Sequence, residues 1–168
     1  MRKGRGANSV GSEAVLNLQR HQACLEATDG ADQIFNLAAD MGGMGFIENN
    51  KVACMLSSVI NTNLLVAARE HGIERFFLSS AACVYAAGKQ TDPKITGLAE
   101  ADGYPTEPEY GYGWENLVSE RKGRHFMEDF GLEFSTAHKH IVYGLCGTWD
   151  NGREKAPAAI CPEVITQS

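Results

Sequence analysis

The sequence predicts an α/β fold in which parallel strands are joined by crossover helices, and three features carry that expectation. Short apolar runs alternate along the chain with longer amphipathic ones, which is the pattern of βαβ units. Residues 52–70 place Val52, Met55, Leu56, Val59, Ile60, Leu64, Leu65 and Ala68 at helical spacing, ahead of a His71-Gly72 stop. The runs DQIFNLAA (32–39) and RFFLSS (75–80) are rich in the branched and aromatic side chains that suit a buried strand.

Taken in order, AVLNL (14–18) reads as a first strand, and QRHQACLEATDG (19–30) as a short helix closed by Gly30. A strand at 33–38 follows, then a glycine-rich turn from Met41 to Gly45 and the long helix 52–70. After a strand at 75–79, the polar stretch 86–109, with Pro93, Pro105 and Pro108, reads as a long surface loop of the kind that often carries function. Residues 112–130 return to helical spacing with Gly131 as their stop, 133–142 form the last strand, and GTWDNGREKAPAAI leads from a loop into a helical start.

With 168 residues and 43% hydrophobic composition, the chain suits one domain around a single core. Its formal charge of −6 comes with no basic stripe, so nucleic acid and anionic membranes are not expected as partners. The five cysteines are odd in number, widely spaced and without a CxxC pair, so no disulfide framework or metal site is expected and a reducing cytoplasm suits them. The basic start MRKGRGANSVG has no apolar run behind it, and no window reads as a membrane span.

Five segments then align into one pattern: IFNLAADMGGMGF (34–46), RFFLSSAACVY (75–85), YGYGWEN (110–116), YGLCGTW (143–149) and GREKAPAA (152–159). From about residue 15 to about 162 the chain resembles the GDP-mannose 3,5-epimerases, a branch of the extended short-chain dehydrogenase/reductases. The resemblance implies a sugar-nucleotide isomerase: bound NAD takes hydride from C4 of GDP-mannose, the C3 and C5 protons become acidic beside the ketone, and hydride returns. It implies Tyr112 as the base at C4, and Cys83 with Lys155 as the acid/base pair at C3 and C5. It further assigns Gly42, Gly43, Glu154 and Ala156 to substrate, and Ala38, Ala39, Tyr112 and Asn116 to cofactor. A homodimer through the helices 52–70 and 112–130 is implied as well.

Several positions depart from the pattern. Asn116, four residues after Tyr112 and on the same helical face, stands where a lysine should lower the tyrosine pKa and hold the nicotinamide ribose. Ala81 replaces a hydroxyl residue, Asn17 an aspartate that contacts adenine, and Ile141 an asparagine that contacts substrate. Gly4, Gly6 and Gly11 follow no hydrophobic strand and lack the spacing of a phosphate loop. The expectation is therefore an incomplete Rossmann-like parallel sheet with flanking helices, lacking the first strands and the glycine-rich loop. Residues 1–13 are expected as a flexible tail and 14–168 as a partial NAD(P)-binding domain with weak NAD affinity. The alternative is a truncated, non-catalytic relative, either a gene fragment or a module retained for association.

Overall fold

The computed structural model describes residues 13–91, 94, 97–108, 110–145 and 147–166. The glycines at 4, 6 and 11, nearly all of the expected tail, Pro93 and Cys146 lie outside them. The described elements run α1 (His21–Thr28), β1 (Gln33–Asn36), α2 (Met44–Asn49), α3 (Lys51–Glu70), β2 (Arg75–Ala81), α4 (Tyr110–Phe130), β3 (Glu133–Lys139) and α5 (Ala156–Thr166). The sheet has the order β1-β2-β3, all parallel, with Phe35 opposite Phe77 and Phe77 opposite Ser135. The predicted parallel α/β core is thus present. Gly30, Gly72 and Gly131, expected as helix stops, adopt φ of 68°, 63° and 71°, a region that costs glycine nothing.

Residues 14–18 are not a strand. They have no regular structure, and Val15 is fully exposed, because no neighbouring strand pairs with them among the described residues. An apolar run becomes a strand only when a partner satisfies its backbone. The last strand stops at Lys139 rather than 142, leaving Ile141 and Val142 exposed, and β1 stops at Asn36, whose side chain accepts the Ala38 N–H at 3.1 Å and turns the chain away. The glycine-rich turn is shorter than expected, since Met44 and Gly45 already belong to α2. The long loop is tightened by one-turn 3₁₀ segments at Ala87–Lys89 and Glu100–Gly103.

Leu64, Leu65 and Ala68 of α3 meet Phe76 and Leu78 of β2 in the main core, with Cys24 of α1 and Leu132 closing its ends. On the opposite face of the sheet Phe35 is 68% exposed, with the half-buried Phe77 beside it at a ring separation of 5.8 Å. Contrary to the sequence expectation, α3 is long and apolar enough to cross a membrane, by length and composition alone. Its inward residues belong to the core, and its buried polar residues Ser57 and Asn61 both hold hydrogen bonds. Asn61 is the hub of a buried network, accepting from Asn36 and donating to Glu115 Oε1 (2.6 Å) and Ser119 Oγ (2.9 Å). This ties β1, α3 and α4 together with every buried polar side-chain atom of the described residues paired.

Candidate active site

The turn after β1 and the GREKAP segment, some 113 positions apart, are clamped into one structure. Arg153 Nη1 donates to Asp40 Oδ1 at 2.6 Å and to the Met41 carbonyl at 3.2 Å, while its guanidinium lies 4.0 Å from the centre of the Phe46 ring. Lys155 Nζ donates to the Gly42 carbonyl at 2.7 Å, and the Gly43 N–H donates to the Arg153 carbonyl at 3.1 Å. The two glycines are needed for this contact. A Cβ on Gly43 would stand 2.3 Å from the Glu154 carbonyl oxygen, and one on Gly42 would stand 2.8 Å from Phe46 Cβ and 3.1 Å from Arg153 Cα. The close approach that the described residues display is thus between two protein segments.

The end of β2 meets α4 in the same region. Ala81 is buried, and Cys83, half-buried, sits in the 3₁₀ turn Ala82–Val84. A Cβ at Gly113 would lie 2.3 Å from the Cys83 carbonyl oxygen, and one at Gly111 would lie 2.7 Å from that of Lys51. Glycine at both positions lets the first turn of α4 rest on backbone, and it carries Tyr112 inward between them. Tyr112, Ala81, Ile47 and Cys54 form one buried cluster, with Met41, Phe46 and Cys83 packed against it. The structure therefore gathers Gly42, Gly43, Cys83, Tyr112 and Lys155 around neighbouring elements.

The remaining predicted positions differ. Asn116 is 3% exposed and donates Nδ2 to the Tyr112 backbone carbonyl at 2.9 Å, so its amide is engaged within its own helix. Glu154 is turned back onto its loop, accepting the Gly152 N–H at 2.7 Å, and Ala156 opens α5 at the surface. Ala38 and Ala39 follow β1; Ala38 lines a hollow of about 400 Å³ beside that strand.

Electrostatics separates the reactive groups. Burial pushes the Tyr112 phenol up to about 12, with Cys83, Glu115 and Cys54 adding to the effect and the Asn116 amide opposing it. Burial pulls the Lys155 ammonium down, partly countered by its attraction to Cys83. The first is a phenol that keeps its proton; the second is an amine closer to being a base. The Arg153–Asp40 clamp, Ser57 supporting the Asp40 N–H at 2.9 Å, and Glu115 were not singled out from sequence. Nor was a second cluster, in which His138 bridges Glu120 (3.1 Å) and the Tyr85 hydroxyl (2.9 Å) on the wall of a cavity of about 500 Å³. These groups come from different elements, and no spacing within one element reports which of them meet.

Residues 5–167 match the family described as the NAD dependent epimerase/dehydratase family. The chain belongs to that family. Within it, the chain is 44% identical over 155 residues to GDP-mannose 3,5-epimerase of Arabidopsis thaliana, covering 92% of this chain and 41% of that protein. The identity to GDP-mannose 3,5-epimerase 1 of Oryza sativa subsp. japonica is also 44%, with the same shares. The chain thus spans about two fifths of the length of these curated relatives. The fold is similar to that of a GDP-D-glycero-L-gluco-heptose synthase from Campylobacter jejuni solved in the presence of NADPH (TM-score 0.75, 15% identity, 88% of this chain and 44% of that one). It is also similar to a GDP-L-fucose synthetase from Naegleria fowleri bound to NADP (TM-score 0.72, 17% identity, 89% and 50%).

The family is NAD dependent, but the groups around Tyr112 do not fit the nicotinamide end of that cofactor. A base for hydride chemistry needs a cation beside the phenol; this position holds an uncharged amide, whose hydrogen bond does not overcome the effect of burial, and Ala81 offers no hydroxyl. Spectrophotometric titration checks this. Tyr112 is expected to ionise at about 12, with Tyr112→Phe removing that step. Asn116→Lys is expected to bring it down by about 1–3 units. Ionisation of Tyr112 near neutral pH in the unmodified chain would contradict the assignment.

Proposed function

We propose that the chain carries the C3/C5 proton-transfer site of a sugar-nucleotide isomerase of the GDP-mannose 3,5-epimerase type, acting on a GDP-linked mannose. Cys83 and Lys155 serve as the acid/base pair, with the Gly42-Gly43 turn holding the segment that bears Lys155. The observation that carries the reading is the 2.7 Å bond from Lys155 Nζ to the Gly42 carbonyl, which joins the GREKAP and MGG segments next to the Cys83–Tyr112 cluster. Epimerisation needs two proton carriers, and a thiol beside an amine whose ammonium is destabilised by burial supplies two groups of suitable kind. The four described cysteines are all thiols, which suits a cytoplasmic location.

Alkylation tests the site. GDP-mannose is expected to protect Cys83, but not the exposed Cys161, from iodoacetamide, as read by peptide mass spectrometry. Undiminished labelling of Cys83 at millimolar GDP-mannose would remove the proposal.

One observation bears on assembly, and it suits a non-catalytic association module as well as a dimeric enzyme. Val52, Met55, Leu56 and Val59 form an exposed stripe on α3, alongside Trp114 and Val118 of α4. Exposed apolar patches of this kind mark interaction surfaces, and a homodimer through the two helices would cover them. Sedimentation is expected to show a dimer that Met55→Asp converts to monomer. A monomer in the unmodified chain at tens of micromolar would exclude it.

A further inference from the structure

We infer that this site takes a GDP-linked hexose that already bears a ketone at C4, and exchanges its C3 and C5 protons without a nicotinamide cofactor. A separate oxidation at C4 must therefore supply the substrate. The inference rests on the proposed function and adds the state in which the sugar arrives.

Three observations converge on it. The groups that hydride transfer from C4 needs are the ones replaced here. Asn116 brings no charge to Tyr112: its amide donates to the Tyr112 carbonyl and, as a neutral hydrogen-bond partner of the phenol, opposes the effect of burial without overcoming it, and Ala81 has a methyl where a hydroxyl would hold the reacting oxygen. The groups needed for proton transfer beside an existing ketone are kept. Lys155 stands on the Gly42 carbonyl with an amine destabilised as ammonium, and Cys83 is half-buried in the turn beneath α4. Finally, Tyr112 packs in one cluster with Cys83 against it, and a phenol that keeps its proton there is unsuited to act as base but suited to donate a hydrogen bond to an enolate oxygen.

The step balances without an oxidant. The C3–H or C5–H bond breaks, its electron pair moves toward the C4 oxygen to give an enolate, and one member of the pair, amine or thiolate, takes the proton. Collapse of the enolate re-forms the ketone as a C–H bond is made with a proton from the other member. The Tyr112 O–H donates to the enolate oxygen throughout and is never transferred.

The test uses the full chain in deuterated buffer with GDP-4-keto-6-deoxymannose, a stable C4 ketone, and no nicotinamide cofactor. NMR is expected to show deuterium entering C3 and C5 at least about 100-fold faster than in buffer. Adding NAD should leave the rate unchanged. Lys155→Met is expected to lower it about 100-fold, and Tyr112→Phe by about 100-fold through loss of the oxyanion donor, each with a native circular dichroism spectrum and melt. If the ketone is inert while GDP-mannose with NAD exchanges, the inference is overturned and the proposed function stands. If the ketone is inert and GDP-mannose also fails to protect Cys83, both fall.

Discussion

Asn61→Ala is expected to destabilise the fold by about 3 kcal/mol or more, a fall in Tm of roughly 6–12 °C. Asn61 is 4% exposed and serves three buried groups at once: it accepts from Asn36, and donates to Glu115 and Ser119. Alanine would leave the Glu115 carboxylate, itself 3% exposed, with only the Ser119 hydroxyl at 2.8 Å. The penalty has a pH dependence of definite sign. Burial raises the Glu115 pKa above its ordinary value, with the Ser119 and Asn61 hydrogen bonds and the Lys122 charge opposing the rise. A carboxyl whose folded pKa exceeds its unfolded one binds its proton more tightly when folded, so its contribution is present at low pH. That contribution is lost as pH rises from the unfolded pKa through the folded value. Removing the Asn61 donor raises the folded pKa further, so the deficit of Asn61→Ala should grow over that window. Glu115→Gln should flatten the slope. Denaturant unfolding at several pH values checks both, and a deficit that shrinks as pH rises would refute the network.

Gly113→Ala is expected to cost about 2–3 kcal/mol and to disturb the site as well as the fold. Its new Cβ would sit 2.3 Å from the Cys83 carbonyl oxygen and 3.0 Å from Pro108 Cβ, and the nearer obstacle is backbone that cannot rotate away. The 3₁₀ turn bearing Cys83 and the first turn of α4 bearing Tyr112 must therefore separate. The expected signature is a lower unfolding midpoint together with faster alkylation of Cys83. Gly45→Ala is the control: its Cβ would meet nothing within 4 Å, and inside α2 alanine should be neutral or slightly stabilising. Equal stability for the two variants would show that the contact between Gly113 and Cys83 is not formed in solution.

The glycine and asparagine effects show why some of this molecule was legible and some was not. Helical spacing in 52–70 and the stops at Gly72 and Gly131 depend on residues within a few turns of each other, and both helices are present. The segment AVLNL carries the same kind of apolar signal as RFFLSS, yet only the second is a strand, because β2 has β1 and β3 to take its hydrogen bonds. Val15 has no such neighbour among the described residues. The family motif likewise named Cys83, Tyr112 and Lys155, but gave no means of seeing that Arg153 and Asp40 hold their segments together.

The sequence by itself determined the parallel α/β class, the family and the chemical identity of a thiol, a phenol and an amine, because propensity, periodicity and motif reside in consecutive residues. It also determined that no cation stands at position 116. Only the tertiary structure decided how those groups are tuned. Burial among Ile47, Cys54 and Ala81 holds the proton on Tyr112, and partial burial on the Gly42 carbonyl loosens the proton on Lys155. Desolvation depends on atoms brought from distant parts of the chain, so no reading of neighbours in sequence could supply it.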